Sequence, residues 1–236
     1  MRRLVLFDID GTILHGGKLF RECFEAAMRA RHPGAVFPRI SFSGKTDKLI
    51  CRELMKGAGL PVDGPEASAG IESVISDYLA CVRKGLASGG GGVRLLPGAD
   101  AVVRELHAHA DVELALLTGN VREGARLKLG AVGLESFFEF DASGAFGDDH
   151  WDRYQLPAVA VKRAHERLGR HFHGKDVIII GDTIHDVKCG ESLGVRTIGV
   201  GTGQAEQRQL VMDARPDHFF EDLGDVRAVV RAVLEG

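Results

Sequence analysis

Two continuous apolar runs that each stop at a pair of aspartates constrain this chain more than any other feature. Leu4-Val5-Leu6-Phe7 runs into Asp8-Ile9-Asp10-Gly11-Thr12, and Val177-Ile178-Ile179-Ile180 runs into Gly181-Asp182-Thr183-Ile184-His185-Asp186. A short apolar run bounded by turn residues has the form of a strand buried on both faces, which is the habit of parallel sheets. A third run, Val112-Glu113-Leu114-Ala115-Leu116-Leu117, ends in Thr118-Gly119-Asn120, which offers a hydroxyl and a backbone N–H to an anion. In open α/β sheets, ligands gather at the carboxyl ends of the strands. Carboxylates crowded at such ends repel one another unless a metal or a cationic partner holds them.

Between and after these runs the pattern turns helical. Ala99, Val102, Val103, Leu106 and Ala110 share one helical face behind Pro97, and Val226, Val229, Val230 and Val233 share another near the C-terminus. Further strands are expected at Phe137-Phe138-Glu139-Phe140 and Val195-Arg196-Thr197-Ile198-Gly199-Val200. Strands alternating with helices predict an α/β fold, a Rossmann-like, doubly wound and mostly parallel sheet.

Residues 15–94 interrupt this alternation. Phe20, Phe24, Ala27 and Met28 fall at helical spacing, Leu49 and Leu54 less neatly, and Ile71, Ile75, Tyr78, Leu79 and Val82 form a further stripe. The expected organisation is an α/β core of residues 1–14 and 95–236 with a small α-helical cap of residues 15–94 inserted as a substrate lid. His15-Gly16-Gly17 and Ser88-Gly89-Gly90-Gly91-Gly92 flank the insertion; they read either as hinges for closure or as tolerant surface loops.

Composition narrows the function classes. A chain of 236 residues is long enough for a large core plus a smaller insertion, and a net charge of −3 gives no basic patch for nucleic acid. Cys23, Cys51, Cys81 and Cys189 show no C-x-x-C spacing, which suits reduced thiols in a reducing compartment and predicts a soluble, cytoplasmic protein. Met1-Arg2-Arg3 opens only a short apolar stretch that ends in acids, so neither a signal sequence nor a membrane span is expected. No heptad or symmetric patch forces assembly, so the oligomeric state stays open and a monomer suffices. The ten histidines, among them His107, His109, His171 and His173, form no metal-ligand pattern and are assigned to the surface.

The order and spacing of these clusters resemble the haloacid dehalogenase superfamily over nearly the whole chain. Its motifs are an Asp-x-Asp-Gly-Thr nucleophile loop, a Ser/Thr phosphate contact, a basic residue and a Gly-Asp-x-x-x-Asp metal loop. The resemblance implies the phosphatase branch, with a helical cap inserted after the first motif. It implies Asp8 as nucleophile, forming an aspartyl-phosphate, and Asp10 as general acid and base. Gly11 would turn the loop, and Gly11 and Thr12 would bind the phosphate together with Thr118, Gly119 and Asn120. Asp8, the Asp10 carbonyl and Asp182 would hold Mg²⁺, with Asp186 contacting it through water or starting a helix. The family's basic residue is usually Lys before prolines; here Arg153 in Asp152-Arg153-Tyr154-Gln155-Leu156-Pro157 takes that place, with Lys162 the alternative.

Several residues carry two readings. Asn120-x-x-Glu123 also has the form of a helix N-cap with a reciprocal acid. In Ser43-Gly44-Lys45-Thr46-Asp47, Lys45 either reaches the leaving group or is a solvated charge beside an N-capping Thr46. Trp151 and Tyr154 either stack on substrate or anchor their loop. His185 is expected neutral and facing solvent. The implied activity is hydrolysis of a small soluble phosphomonoester, with Mg²⁺ as cofactor and neither nucleic acid nor membrane as partner. A phosphomutase on a phosphosugar is the alternative. A phosphorylation-switched signalling module or a non-catalytic binder lies further off, and the Asp8-x-Asp10 pair argues for phosphate over a haloacid.

Overall fold

A computed structural model describes residues 2–89 and 92–235. The core sheet is built from β1 (Arg3–Phe7), β4 (Val112–Leu116), β5 (Val177–Gly181), β6 (Arg196–Val200) and β7 (His218–Phe220), in the order β4-β1-β5-β6-β7. All neighbouring pairs are parallel, with Phe7 beside Leu116 on one side and Ile180 on the other. Helices α4 (Ala99–Ala108), α5 (Arg122–Gly130), α6 (Leu156–Leu168), α7 (Ile184–Cys189), α8 (Ala205–Asp213) and α9 (Val226–Leu234) complete the core.

The alternation of a pleated strand sorts β1 between two cores. Val5 and Phe7 join Ile178, Ile180 and the apolar stripes of α4 and α9, whereas Leu4 and Leu6 join Val177, Ile179 and the α6 residues Leu156, Ala160 and Ala164. A sheet this fully covered explains why the strands read as continuous apolar runs.

The expected strand at 137–140 does not form. Glu135–Phe137 is a 3₁₀ turn, and Phe138 and Phe140 drop into the core from an irregular segment. Edge-to-face contact with Phe7 anchors Phe138 and a stack with Phe146 anchors Phe140, so these aromatics are loop anchors. The short β7 had no comparable apolar run to announce it.

The described residues between His15 and Arg94 form the helical insertion: α1 (Leu19–Arg31), α2 (Asp47–Gly57) and α3 (Pro65–Ala87). A two-residue antiparallel ribbon, β2 (Leu14–His15) with β3 (Arg94–Leu95), joins its two ends. The expected stripes of α1 and α3 meet in a core of their own, with Phe20, Phe24, Met28, Ile71, Tyr78 and Val82 buried together. Each such side chain contributes roughly 1.5–3 kcal/mol by leaving water. Cys23 and Cys81 form a disulfide between α1 and α3, with Cα atoms 5.5 Å apart, while Cys51 and Cys189 are buried free thiols. The expectation of four reduced thiols is therefore corrected, and with it the thiol argument for a reducing compartment. Sequence spacing concealed the pair because the two cysteines stand 58 residues apart on separate helices. Of the expected second hinge, Gly90 and Gly91 lie outside the described residues.

Candidate active site

Sheet order puts the acidic clusters side by side. The core strands follow the flavodoxin-like order, and the chain's direction of winding reverses between β1 and β5, where such folds open a crevice. The ladder continues past β1 through Asp8 N–H to the Ile180 carbonyl at 2.9 Å, and Leu117 N–H reaches the Phe7 carbonyl at 2.8 Å. Asp8 thus emerges between Leu117 and Gly181. Gly11, at φ +87°, turns the chain away; a Cβ there would lie 2.2 Å from Asp182 Oδ2, so only glycine lets the first loop approach the second acidic pair.

Arg153 ties the two loops together. It sits in a 3₁₀ turn, Arg153–Gln155, whose start is held by the Asp152 carboxylate accepting Tyr154 N–H. Its Nη2 donates to Asp8 Oδ1 at 3.0 Å, to the Leu117 carbonyl at 3.3 Å and to Asp186 Oδ1. The other Asp186 oxygen accepts Thr183 N–H at 2.9 Å and Thr183 O–H at 2.6 Å, closing a capping box on α7. Asp186 therefore starts its helix and holds Arg153. Lys162 faces solvent on α6 beside Glu166 at 3.7 Å, far from this network in character, with 75% of its side chain exposed.

One guanidinium faces three buried carboxylates. Asp8, Asp182 and Asp186 each offer an oxygen within 4.8 Å of the others. Burial pushes the Asp8 carboxyl up to about 7 even with Arg153 opposing it, and burial with Asp8 and Asp186 nearby raises Asp182 well above the usual range. Asp182 Oδ1 is buried with no hydrogen-bond partner among the described residues. An orphaned carboxylate oxygen beside two further carboxylates is a set of hard oxygen donors short of positive charge, which fits a cation such as Mg²⁺.

The third strand end carries a separate polar network. Thr118 Oγ1 accepts from Asn120 Nδ2 at 2.8 Å, and Asn120 Nδ2 also donates to Asp10 Oδ2 at 2.7 Å. Lys128, from α5, donates to Asp10 Oδ2 at 2.6 Å and to Asn120 Oδ1 at 2.7 Å. The side chain of Asn120 is thereby consumed, and the N-cap reading of Asn120 with Glu123 is corrected. Val121 occupies the cap position with no capping side chain of its own, and Glu123 pairs with Arg83. The free N–H groups of α5 are met from elsewhere, Val121 by Asp47 at 2.8 Å and Arg122 by Asp148. Sequence reading passed over Lys128 and Asp47; the available signal was a lysine on the apolar face of α5, between Ala125 and Leu129.

Core and insertion share a cavity of about 430 Å³ lined by Asp8, Asp10, Thr118, Asn120, Lys128 and Arg153 from the core and by Phe20, Phe42, Lys45 and Tyr78 from the insertion. Gly119 lies directly under the insertion, since a Cβ there would stand 2.1 Å from the Lys45 carbonyl. Thr46 caps α2 by accepting Leu49 N–H at 3.0 Å, and Lys45 reaches the cavity wall while paired with Glu53. Thr12 is fully buried, its hydroxyl without a partner among the described residues, and does not line the cavity. Trp151 and Tyr154 do not line it either; Arg52 lies over the Trp151 ring, and the Tyr154 hydroxyl meets a half-buried His185 Nδ1 at 3.1 Å. His107, His109, His171 and His173 are exposed.

Three acids and a buried guanidinium thus converge at the switch point of a parallel α/β sheet, where such folds hold their ligands. The family model of haloacid dehalogenase-like hydrolases matches residues 5–200. This chain belongs to that family of hydrolases. Over 227 residues it is 26% identical to the pyrophosphatase PpaX of Halalkalibacterium halodurans, covering 96% of this chain and 95% of that one. It is also 26% identical over 201 residues to the tyrosine-protein kinase PtkA of Mycobacterium tuberculosis, covering 85% of this chain and 62% of that one. Among solved structures, a predicted phosphoglycolate phosphatase from Haemophilus somnus superposes with a TM-score of 0.70 at 17% identity, over 97% of this chain and 98% of that one. CbbY from Rhodobacter sphaeroides in complex with phosphate gives 0.69 at 15% identity, over 96% of each chain. Among the described residues no helix is long and apolar enough to cross a membrane.

Proposed function

We propose that the protein is a Mg²⁺-dependent phosphomonoester hydrolase that acts on a small phosphorylated metabolite through an aspartyl-phosphate on Asp8, with the helical insertion as the lid over the substrate. The observation that carries this reading is the imbalance at the strand ends, where Asp8, Asp182 and Asp186 share one guanidinium and Asp182 Oδ1 has no hydrogen-bond partner among the described residues. The carboxylates of Asp8 and Asp182 and the Asp10 carbonyl would hold Mg²⁺, with Asp186, already engaged by Arg153 and Thr183, joined through water. When bound, the ion supplies positive charge against the phosphoryl oxygens and favours the ionised form of Asp8.

The chain's own groups carry the reaction. An Asp8 carboxylate oxygen forms a bond to phosphorus as the ester P–O bond breaks, and Asp10 gives its proton to the departing oxygen. Asp10 then takes a proton from water as the water oxygen bonds to phosphorus, and the Asp8–phosphorus bond breaks to free phosphate. Thr118, the Gly119 N–H and Arg153 hold the phosphoryl oxygens in line, the positioning that phosphoryl transfer depends on. Lys45 and the aromatic wall of the insertion would meet the leaving group.

The test is phosphate release from a panel of phosphomonoesters and pyrophosphate with Mg²⁺ present or chelated, alongside Asp8→Asn. Metal-dependent release that the variant loses is the expected result. Transfer of the phosphoryl group within a phosphosugar without release would establish the mutase instead, and no turnover by a folded protein would overturn both.

A further inference from the structure

The geometry points to Lys128 as a positioning residue that aims Asp10 at the leaving oxygen, an inference that rests on the hydrolase reading above. Lys128 projects from the core-facing side of α5, in line with Gly124, Ala125 and Leu129, and is only 5% exposed. A lysine in such a stripe is rare unless its charge is used. Its ammonium meets groups of the site: Asp10 Oδ2 at 2.6 Å, Asn120 Oδ1 at 2.7 Å and the face of Phe20, whose centroid lies 4.7 Å away.

The arrangement distinguishes the two oxygens of Asp10. Oδ2 accepts from Lys128 and from Asn120 Nδ2, and two donors aimed at one oxygen occupy both of its lone-pair directions. No hydrogen bond among the described residues reaches Oδ1, and Asp10 lines the cavity with 42% of its side chain exposed. Oδ1 is therefore the oxygen left free to meet the substrate's leaving oxygen. Asn120 alone does not fix this, because its own amide is oriented by Lys128: the ammonium claims Oδ1 of Asn120 and so turns Nδ2 toward Asp10 and Thr118. Arg153 and Lys128 thus divide the labour, one bound to Asp8 and the other to Asp10.

An acid that is misaimed matters most when the departing oxygen needs a proton. The test compares kcat/KM, which reports the step that expels the leaving group, for an alkyl phosphate and for para-nitrophenyl phosphate, whose phenolate departs unaided. Lys128→Met is expected to lose about 100-fold or more on the alkyl ester and less than about 10-fold on the aryl ester, since general-acid catalysis contributes about 10²–10⁴-fold. Lys128→Gln, which keeps an N–H donor, is expected to fall between Lys128→Met and the wild type in the ratio of the two losses and serves if the methionine variant does not fold. Equal losses on both esters, or none on either, would assign Lys128 to the fold alone and overturn the inference. Wild-type protein that turns over neither ester overturns the hydrolase reading, and this one with it.

Discussion

Asp47, the first residue of the second insertion helix, accepts the Val121 backbone N–H of the core at 2.8 Å. The same backbone segment donates Asp47 N–H to the Gly119 carbonyl at 2.8 Å, so core and insertion exchange hydrogen bonds at the mouth of the cavity. Asp47→Ala strands a buried N–H at the start of α5, which costs about 1–3 kcal/mol. The expected drop in Tm is about 2–4 °C per kcal/mol for a chain of this size. A melt unchanged from wild type would show that the contact carries no stability.

Stability should respond to pH through the strand-end acids. Asp8 is raised from its ordinary value to about 7, and Asp182 is raised too, so the folded state binds protons more tightly than the unfolded chain. For groups shifted upward, the stabilisation is full below the unfolded pKa near 4 and is lost as pH rises through about 7. Metal-free protein is expected to melt lower at pH 8 than at pH 5, and added Mg²⁺ to raise Tm more at pH 8, where its ligands are ionised. A Mg²⁺ effect of equal size at both pH values would contradict this.

Arg153 pairs with both Asp8 and Asp186, the one cation among the described residues to do so. Arg153→Met leaves two buried carboxylates unpaired, and removing one partner of a buried pair costs about 3–5 kcal/mol. Turnover should fall by at least about 10²-fold, in line with the loss of an electrostatic stabiliser. Lys162→Met, on the solvent face of the same region, should change neither the melt nor the rate. Parity between the two variants would remove Arg153 from the site.

Thiol titration of the unfolded, unreduced protein should find two reactive cysteines, Cys51 and Cys189, and four after reduction. Cys23→Ser is expected to cost about 4 kcal/mol, the chain-entropy value for a closed loop of this length. Four titratable thiols without reductant would show the bridge absent.

Residues that act through their own chain neighbourhood were legible in the sequence. Four of the five core strands, the stripes of α1, α3, α4 and α9, and the gathering of Asp8, Asp10, Thr118, Asp182 and Asp186 follow from apolar runs and the turns that end them. Arg153, against Lys162, was readable only through the family resemblance, which puts a basic residue before a helix start, together with Pro157, which marks that start. What stayed hidden depends on long-range pairing. Nothing local to Lys128 marks it as the partner of Asp10, 118 residues away, and nothing near Asn120 shows that its amide is taken from the helix it precedes. Phe137-Phe138-Glu139-Phe140 misled for the opposite reason: aromatic density is the same whether side chains face a sheet or plug a loop into it.

The ribbon of Leu14 with Leu95 and His15 with Arg94 joins the insertion's two ends before any of its helices begin. Topologically the core is therefore complete without the insertion, which hangs from it as a closed bight. Such a junction is suited to exchange: a different set of helices, or a short turn, can be spliced between His15 and Arg94 without rethreading a single strand of the sheet. The strand-end acids and the surface of the insertion that faces them can then diverge at separate rates, because the chain crosses from one to the other only at that seam.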